Sequence, residues 1–123
     1  MKKFLVKNSD YFYFVFRVII GILFMLHGFT KLPGIFGGST TIISLMALAA
    51  LIEVVGGFFI VIGLLVRYTA SVAAVEMLFA YFMAHVGNGL SPLENNGEPA
   101  VLFFAAFLVL ASFGARKFAI GKN

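Results

Sequence analysis

The sequence predicts an all-α, polytopic membrane protein, a four-transmembrane-helix bundle folded as a single domain over residues 1–123. Three observations predict it. Apolar residues make up 62% of the chain and charged residues 11%, against about 45–50% and about 25% in an ordinary soluble domain. The apolar residues fall in four runs, each long enough for a bilayer that takes about 20 helical residues. Within each run they are continuous rather than alternating, so a barrel signature is absent. A soluble chain this small could not hide so much apolar surface from water. Its solvent is therefore lipid.

The first helix is expected over about 11–31, ended by Pro33-Gly34 and Gly37-Gly38. Ser39, Thr40 and Thr41 then offer capping hydroxyls to a second helix over about 42–66. Arg67 marks a very short turn, and a third helix follows over about 68–86. The polar loop 87–97 carries Asn88, Ser91, Pro92, Glu94, Asn95 and Asn96. Pro99 suits the first turn of a fourth helix, about 98–115, with Glu98 beside its positive dipole end. No internal linker separates these elements.

Composition excludes several functions. With no cysteine, the chain has no disulfide, thiolate metal site, iron–sulfur cluster or catalytic thiol. It therefore cannot be a four-helix membrane enzyme that passes electrons from a dithiol to a quinone. The +4 charge is no nucleic-acid signal, because the basic residues flank apolar runs instead of forming a patch. Lys2 and Lys3 resemble the start of a signal peptide. Lys7, Asp10 and Arg17 interrupt the following run and no small-x-small site precedes a soluble domain, so the first span is expected to stay.

Basic residues orient the bundle. Four spans put both termini and the Arg67 turn on one side. That side holds Lys2, Lys3, Lys7, Arg67, Arg116, Lys117 and Lys122, seven of the nine basic residues. The opposite side has Lys31 with Glu94 and Glu98. The reading is a multi-pass protein of the cell (inner) membrane with both termini cytoplasmic.

Arg17, His27, Lys31, Glu53, Glu76 and His85 lie inside or at the rim of these spans. Each charge placed mid-span costs at least about 2.5–3.5 kcal/mol, so such groups are paired or used. At about 1.5 Å per residue, Glu53 sits roughly 17 Å from the outer end of its helix, near the midplane. Arg17 and Glu76 belong to the inner half, His27, Lys31 and His85 to the outer half. Arg17, Gly21, Phe24, Gly28 and Lys31 form one stripe, and Glu53 shares a face with Gly56, Gly57, Ile60 and Gly63. Small residues let membrane helices approach closely, so Glu53 faces protein. His85 is turned about half a circle from Glu76, with Tyr81 as its neighbour.

Each group also has an ordinary reading. Arg17 can snorkel to headgroups or form a structural pair with Glu76. Lys31 can be an interfacial anchor. Glu53 can be a neutral acid bonded to a backbone carbonyl. The sharper expectation is that Glu53 contacts His27 or Lys31 in a polar cluster between the first two helices. Two histidines from two helices can clamp a haem iron. Most membrane histidines bridge helices or meet headgroups, so haem is not expected and no metal site is read. The sixteen phenylalanines suit lipid contact, the core or a flat apolar ligand.

The stretch from Arg17 through His27-Gly28 to Lys31, followed by Leu32 and Gly34, resembles the first-helix signature of the DoxX family. The similarity continues through Leu51-Ile52-Glu53-Val54-Val55-Gly56-Gly57, Gly63-Leu64-Leu65-Val66-Arg67 and His85. It closes with Glu98 before an Ala- and Leu-rich helix ended by Gly114-Ala115-Arg116, and covers about 14–120. Glu76 is outside the pattern. The resemblance implies a four-helix integral membrane protein of bacteria and archaea. The family takes its name from a subunit of a thiosulfate:quinone oxidoreductase, and some members work in membrane redox assemblies with soluble partners. Carrying thiosulfate chemistry over would be analogy from fold alone.

The expectation is a subunit of a quinone-linked oxidoreductase-type assembly. It would bind a quinone or similar apolar ligand through Arg17, His27, Lys31, Glu53, Arg67 and His85. Having no redox group of its own, the chain would be at most a subunit of an enzyme. Its partners would be the lipid bilayer, a soluble redox subunit or a second copy of itself, and no nucleic acid. The alternative is a non-enzymatic membrane scaffold or small-molecule carrier. Carriers often have broken helices and inverted repeats, whereas no span here has a proline beyond its first turn and the halves show no convincing similarity.

Overall fold

The computed structural model describes residues 1–35 and 40–121, and among these the chain is helical, with no strand. The helices are α1 (Lys2–Lys7), α2 (Ser9–Thr30), α3 (Leu32–Ile35), α4 (Thr40–Ile62), α5 (Val66–Ala84) and α6 (Glu98–Phe113), with a 3₁₀ turn at Val86–Asn88. Three stretches are long and apolar enough to cross a membrane: Ser9–Thr30, Ser44–Ile62 and Val66–Asn88. The fourth, α6, is apolar but has 16 residues, about 24 Å at 1.5 Å per residue.

Boundaries differ from the sequence expectation in explicable ways. Asn8, at φ −102° and ψ 14°, separates α1 from α2. α4 ends at Ile62, before the expected 66, because Gly63 adopts φ +77°. There the Leu64 N–H bonds the Phe59 carbonyl at 2.9 Å. Leu65 is also left-handed, at φ 48°, and α5 starts immediately after it. Arg67 thus lies in the first turn of α5 instead of in the connection. At α6, Pro99 occupies the first turn and Gly114, at φ +72°, caps the end, as expected. The Gly37-Gly38 break and the capping hydroxyls of Ser39, Thr40 and Thr41 lie outside the described residues and side chains.

α2 packs antiparallel against α4, and α5 against α6. The α2–α4 approach depends on glycine. A Cβ on Gly21 would lie 2.8 Å from the Gly57 carbonyl oxygen, and one on Gly57 would lie 2.6 Å from that of Gly21. Both are closer than carbon and oxygen tolerate, so backbone meets backbone here.

Between the helix pairs lies the apolar core of Phe24, Ile60, Ala70, Ala73, Phe107 and Leu110. Phe24 meets Phe107 edge-on with ring centroids 4.6 Å apart. Ile19, Leu26, Leu48, Leu51, Phe79, Phe82 and Leu102 are exposed on the outside. In water such a surface would aggregate; in a bilayer it faces acyl chains.

After Gly114 the chain turns back under α2 and α4. The Ile120 N–H bonds the Ile62 carbonyl at 3.1 Å, and the Gly121 N–H bonds that of Gly63 at 3.3 Å.

Candidate functional site: an ion pair beside an apolar cavity

α2 ends at Lys31, whose N–H bonds the Gly28 carbonyl at 3.2 Å. Gly28 packs directly on Glu53 and Val54 of α4, where a Cβ would lie 2.9 Å from the Glu53 Cβ. The bare backbone brings Glu53 under the end of α2. The Lys31 Nζ donates to both carboxylate oxygens of Glu53, at 2.8 and 2.7 Å. Glu53 is 2% exposed, while the Lys31 side chain keeps 30% of its surface. The contact expected between Glu53 and Lys31 is present.

Glu76 of α5 stands near this pair, close enough to interact electrostatically with Glu53 and Lys31. Its Oε2 is buried with no partner among the described residues. The expected pairing of Arg17 with Glu76 is therefore corrected. The α4–α5 hairpin explains why: Glu53 lies nine residues before the end of α4, and Glu76 ten residues after the start of α5. Measured from their shared turn, the two reach the same height, about 14–15 Å at 1.5 Å per residue.

A cavity of about 250 Å³ adjoins the Lys31–Glu53 pair. Its polar wall contains Lys31, Glu53, His27 and His85; Phe24, Met77, Ala100 and Phe103 form the apolar wall. A second hollow of about 370 Å³ lies between α2 and α6, lined by Ile20, Leu23 and Leu102, and it shares His27, Pro99 and Phe103 with the first. His27 stands edge-on to Phe103 with centroids 5.3 Å apart. Both histidines thus face one cavity although His27 is not bonded to Glu53.

The loop after α5 covers this end of the bundle. Asn95, 1% exposed, holds it together. Its Nδ2 donates to the Gly89 carbonyl at 2.9 Å and to the Tyr81 hydroxyl at 3.2 Å. The Gly97 N–H donates to its Oδ1 at 2.8 Å. His85 Nδ1 lies 3.0 Å from the Asn95 carbonyl oxygen, which orients the ring.

Arg17 and Arg67 are not in this site. Both lie at the opposite end of the bundle, where their terminal guanidinium nitrogens donate to backbone carbonyls, while the Arg17 Nε is buried with no partner among the described residues. Arg17 is fully buried. It donates to the carbonyls of Ala115, Lys117 at 3.1 Å, Phe118 at 2.6 Å and Val61 at 3.4 Å. Arg67 donates to the Ala111 and Ser112 carbonyls in the last turn of α6. Tyr13 supports the same end, donating to the Gly114 carbonyl at 2.5 Å. Asp10 pairs with Arg116 at 2.6 Å and Lys117 at 3.1 Å. Snorkelling of Arg17 is likewise excluded, because its acceptors are protein carbonyls. A guanidinium carries five donors and no acceptor, which suits it to gather the free carbonyls of an irregular segment.

Asn95, Phe24 and Phe103 are residues near the site that sequence reasoning did not assign, and Glu76, which it matched with Arg17, stands at this end as well. Equal distance from the turn was the available signal for Glu76. No comparable signal marks Asn95 among the three asparagines of its loop.

The sequence model of the family described as DoxX matches residues 12–86. An uncharacterized protein of Haemophilus influenzae is 37% identical over 117 residues, covering 89% of this chain and 87% of its own. A Bacillus subtilis protein named "Putative oxidoreductase CatD" is 32% identical over 110 residues, covering 85% and 80%. No solved structure matches.

Proposed function

We propose that this chain, which belongs to the DoxX family, is a cell-membrane subunit of a quinone-linked redox assembly that holds a quinone, or a ligand of similar shape, in the cavity beside Lys31 and Glu53. The observation that carries the reading is the composition of that cavity. Phe24 and Phe103 offer aromatic surface to a flat ring, and Lys31, His27 and His85 offer polar atoms to ring oxygens. The hollow between α2 and α6 supports a lipid-borne ligand, since an apolar tail could lie along Ile20, Leu23 and Leu102. A scaffold has no need of such a cavity. The name of the Bacillus subtilis relative is in keeping with a redox role.

In this reading His27 and Lys31 hydrogen-bond a quinone carbonyl, and Glu53 relays a proton. The chain holds no electron carrier of its own, so electrons come from a partner subunit. α6 is the fourth span. Its length of about 24 Å falls short of a hydrocarbon core of about 30 Å, a mismatch that local thinning absorbs. Both termini are cytoplasmic.

The test is quinone content. Protein purified in mild detergent is extracted and its quinone measured, beside a His27→Ala, Glu53→Gln variant. The wild type should retain quinone and the variant lose it. Equal retention by both would remove this site.

A further inference from the structure

We infer that His85 makes the cavity selective for the reduced, hydroxyl-bearing form of its ring ligand, a hydroquinone, by presenting a hydrogen-bond acceptor that the loop above holds in place. The inference rests on the proposed quinone site and names the form of the ligand that this site prefers. Tyr81 and His85 stand one turn apart at the end of α5, so both meet the loop that follows. Asn95 of that loop is fixed by three side-chain hydrogen bonds, with Gly89, Tyr81 and Gly97. Its backbone carbonyl oxygen lies 3.0 Å from His85 Nδ1. A carbonyl oxygen only accepts, so the hydrogen of this bond belongs to Nδ1. A neutral imidazole carries one such hydrogen, which leaves Nε2 with a lone pair. Because Nδ1 is turned to the loop, the cavity that His85 lines meets the Nε2 edge of the ring.

Lys31 supplies the complementary group. Its ammonium has three N–H bonds, and two of them go to the Glu53 oxygens, at 2.8 and 2.7 Å. The third is left for a ligand oxygen. The cavity wall thus offers a donor at Lys31 and an acceptor at His85. A quinone has carbonyl oxygens alone. Placed against Nε2, such an oxygen sets one lone pair against another. A hydroquinone satisfies both groups: an O–H donates to His85 Nε2, and an oxygen accepts from Lys31. Sites built around a hydroxyl discriminate against the analogue that lacks it, because their own polar groups are left unpaired. Phe24 and Phe103 offer the same apolar surface to either ring, so the discrimination falls on His85.

The experiment uses the full chain in detergent, under argon and at slightly alkaline pH. Nitrogen NMR of the labelled protein reports the His85 ring without any ligand. It should show hydrogen on Nδ1 and none on Nε2. A short-tailed benzoquinone and its hydroquinone are then titrated separately by calorimetry. The wild type should bind the hydroquinone at least about tenfold more tightly. His85→Gln, whose amide both donates and accepts, should bring the two affinities close together. A ring with hydrogen on Nε2 would overturn the inference. So would equal or tighter binding of the quinone by the wild type, or a preference that survives His85→Gln. If neither form binds, the quinone site itself fails and the selectivity falls with it, whereas binding without the preference would sink the selectivity alone.

Discussion

The Lys31 ammonium is held by both oxygens of the Glu53 carboxylate, at 2.8 and 2.7 Å, across the interface of the first two long helices. Glu53 is nearly inaccessible, and Lys31 is 30% exposed. A pair buried in this way adds little net stability, because desolvation offsets attraction. Removing one partner is a different matter. Breaking a fully buried pair costs about 3–5 kcal/mol, and partial exposure of Lys31 lowers the expectation to about 2–3. Glu53→Leu should therefore destabilise the protein in detergent more than Glu53→Gln does. Lys31→Met added to Glu53→Leu should recover much of the loss, as thermal melts of the four proteins will show.

Gly21 and Gly57 set the spacing of α2 and α4. Gly21→Ala pushes a methyl group against the Gly57 carbonyl and the Val61 side chain. Overpacking of this kind costs about 1–3 kcal/mol. Because Gly28 and Lys31 lie further along the same helix, the shift should also loosen the Lys31–Glu53 contact. Melting temperature and retained quinone should fall together. Unchanged values for both would mean that the helices are not in backbone contact.

Asn95 ties the loop over the cavity. Asn95→Ala leaves the Gly89 carbonyl and the Gly97 N–H without their partner, each worth about 1–3 kcal/mol when buried. Hydrogen exchange should accelerate across 87–97 while α2 and α4 keep their protection. Uniform acceleration through the bundle would instead make Asn95 a global determinant of stability.

Arg17 gathers the carbonyls of the segment that follows α6. Arg17→Lys keeps the charge but cannot span four acceptors, since an ammonium is a point donor. Limited proteolysis should then cut within 115–121, whereas the wild type should resist. Resistance in the variant would show that Tyr13 and Asp10 hold the segment unaided.

Topology has a direct check. Reporter fusions after Asn123 and within 90–94 should give opposite answers, cytoplasmic for the first and external for the second. Matching answers would remove α6 as a span.

The sequence showed the helices clearly, because apolar runs and their glycine and proline stops are local properties. Pro99 and Gly114 marked α6 correctly. The α4 end was less visible: Val66 and Arg67 read as helix end and turn, but the left-handed backbone begins at Gly63. Half of the site was visible too. Depth and the Gly28 and Gly57 stripes pointed Glu53 toward Lys31. Arg17 and Arg67 were misplaced because their partners are backbone carbonyls, which leave no mark in a sequence. Glu76 was matched with Arg17 by depth and opposite charge. The structure sets it at the height of Glu53 instead, while the Arg17 guanidinium turns to backbone carbonyls at the other end of the bundle.

The segment that closes over Arg17 has a consequence for how the protein is made. The carbonyls of Ala115, Lys117 and Phe118 follow Arg17 by 98 to 101 positions. A ribosome making the chain releases α2 long before it reaches them. During that interval the guanidinium lies in an apolar helix with most of its acceptors unmade, a burden for lateral release from the translocon. The nascent helix should therefore linger at the interface or beside the insertion machinery until residues 115–118 emerge and dock. Crosslinking of arrested chains should find Arg17 in a wetter setting before that length than after it.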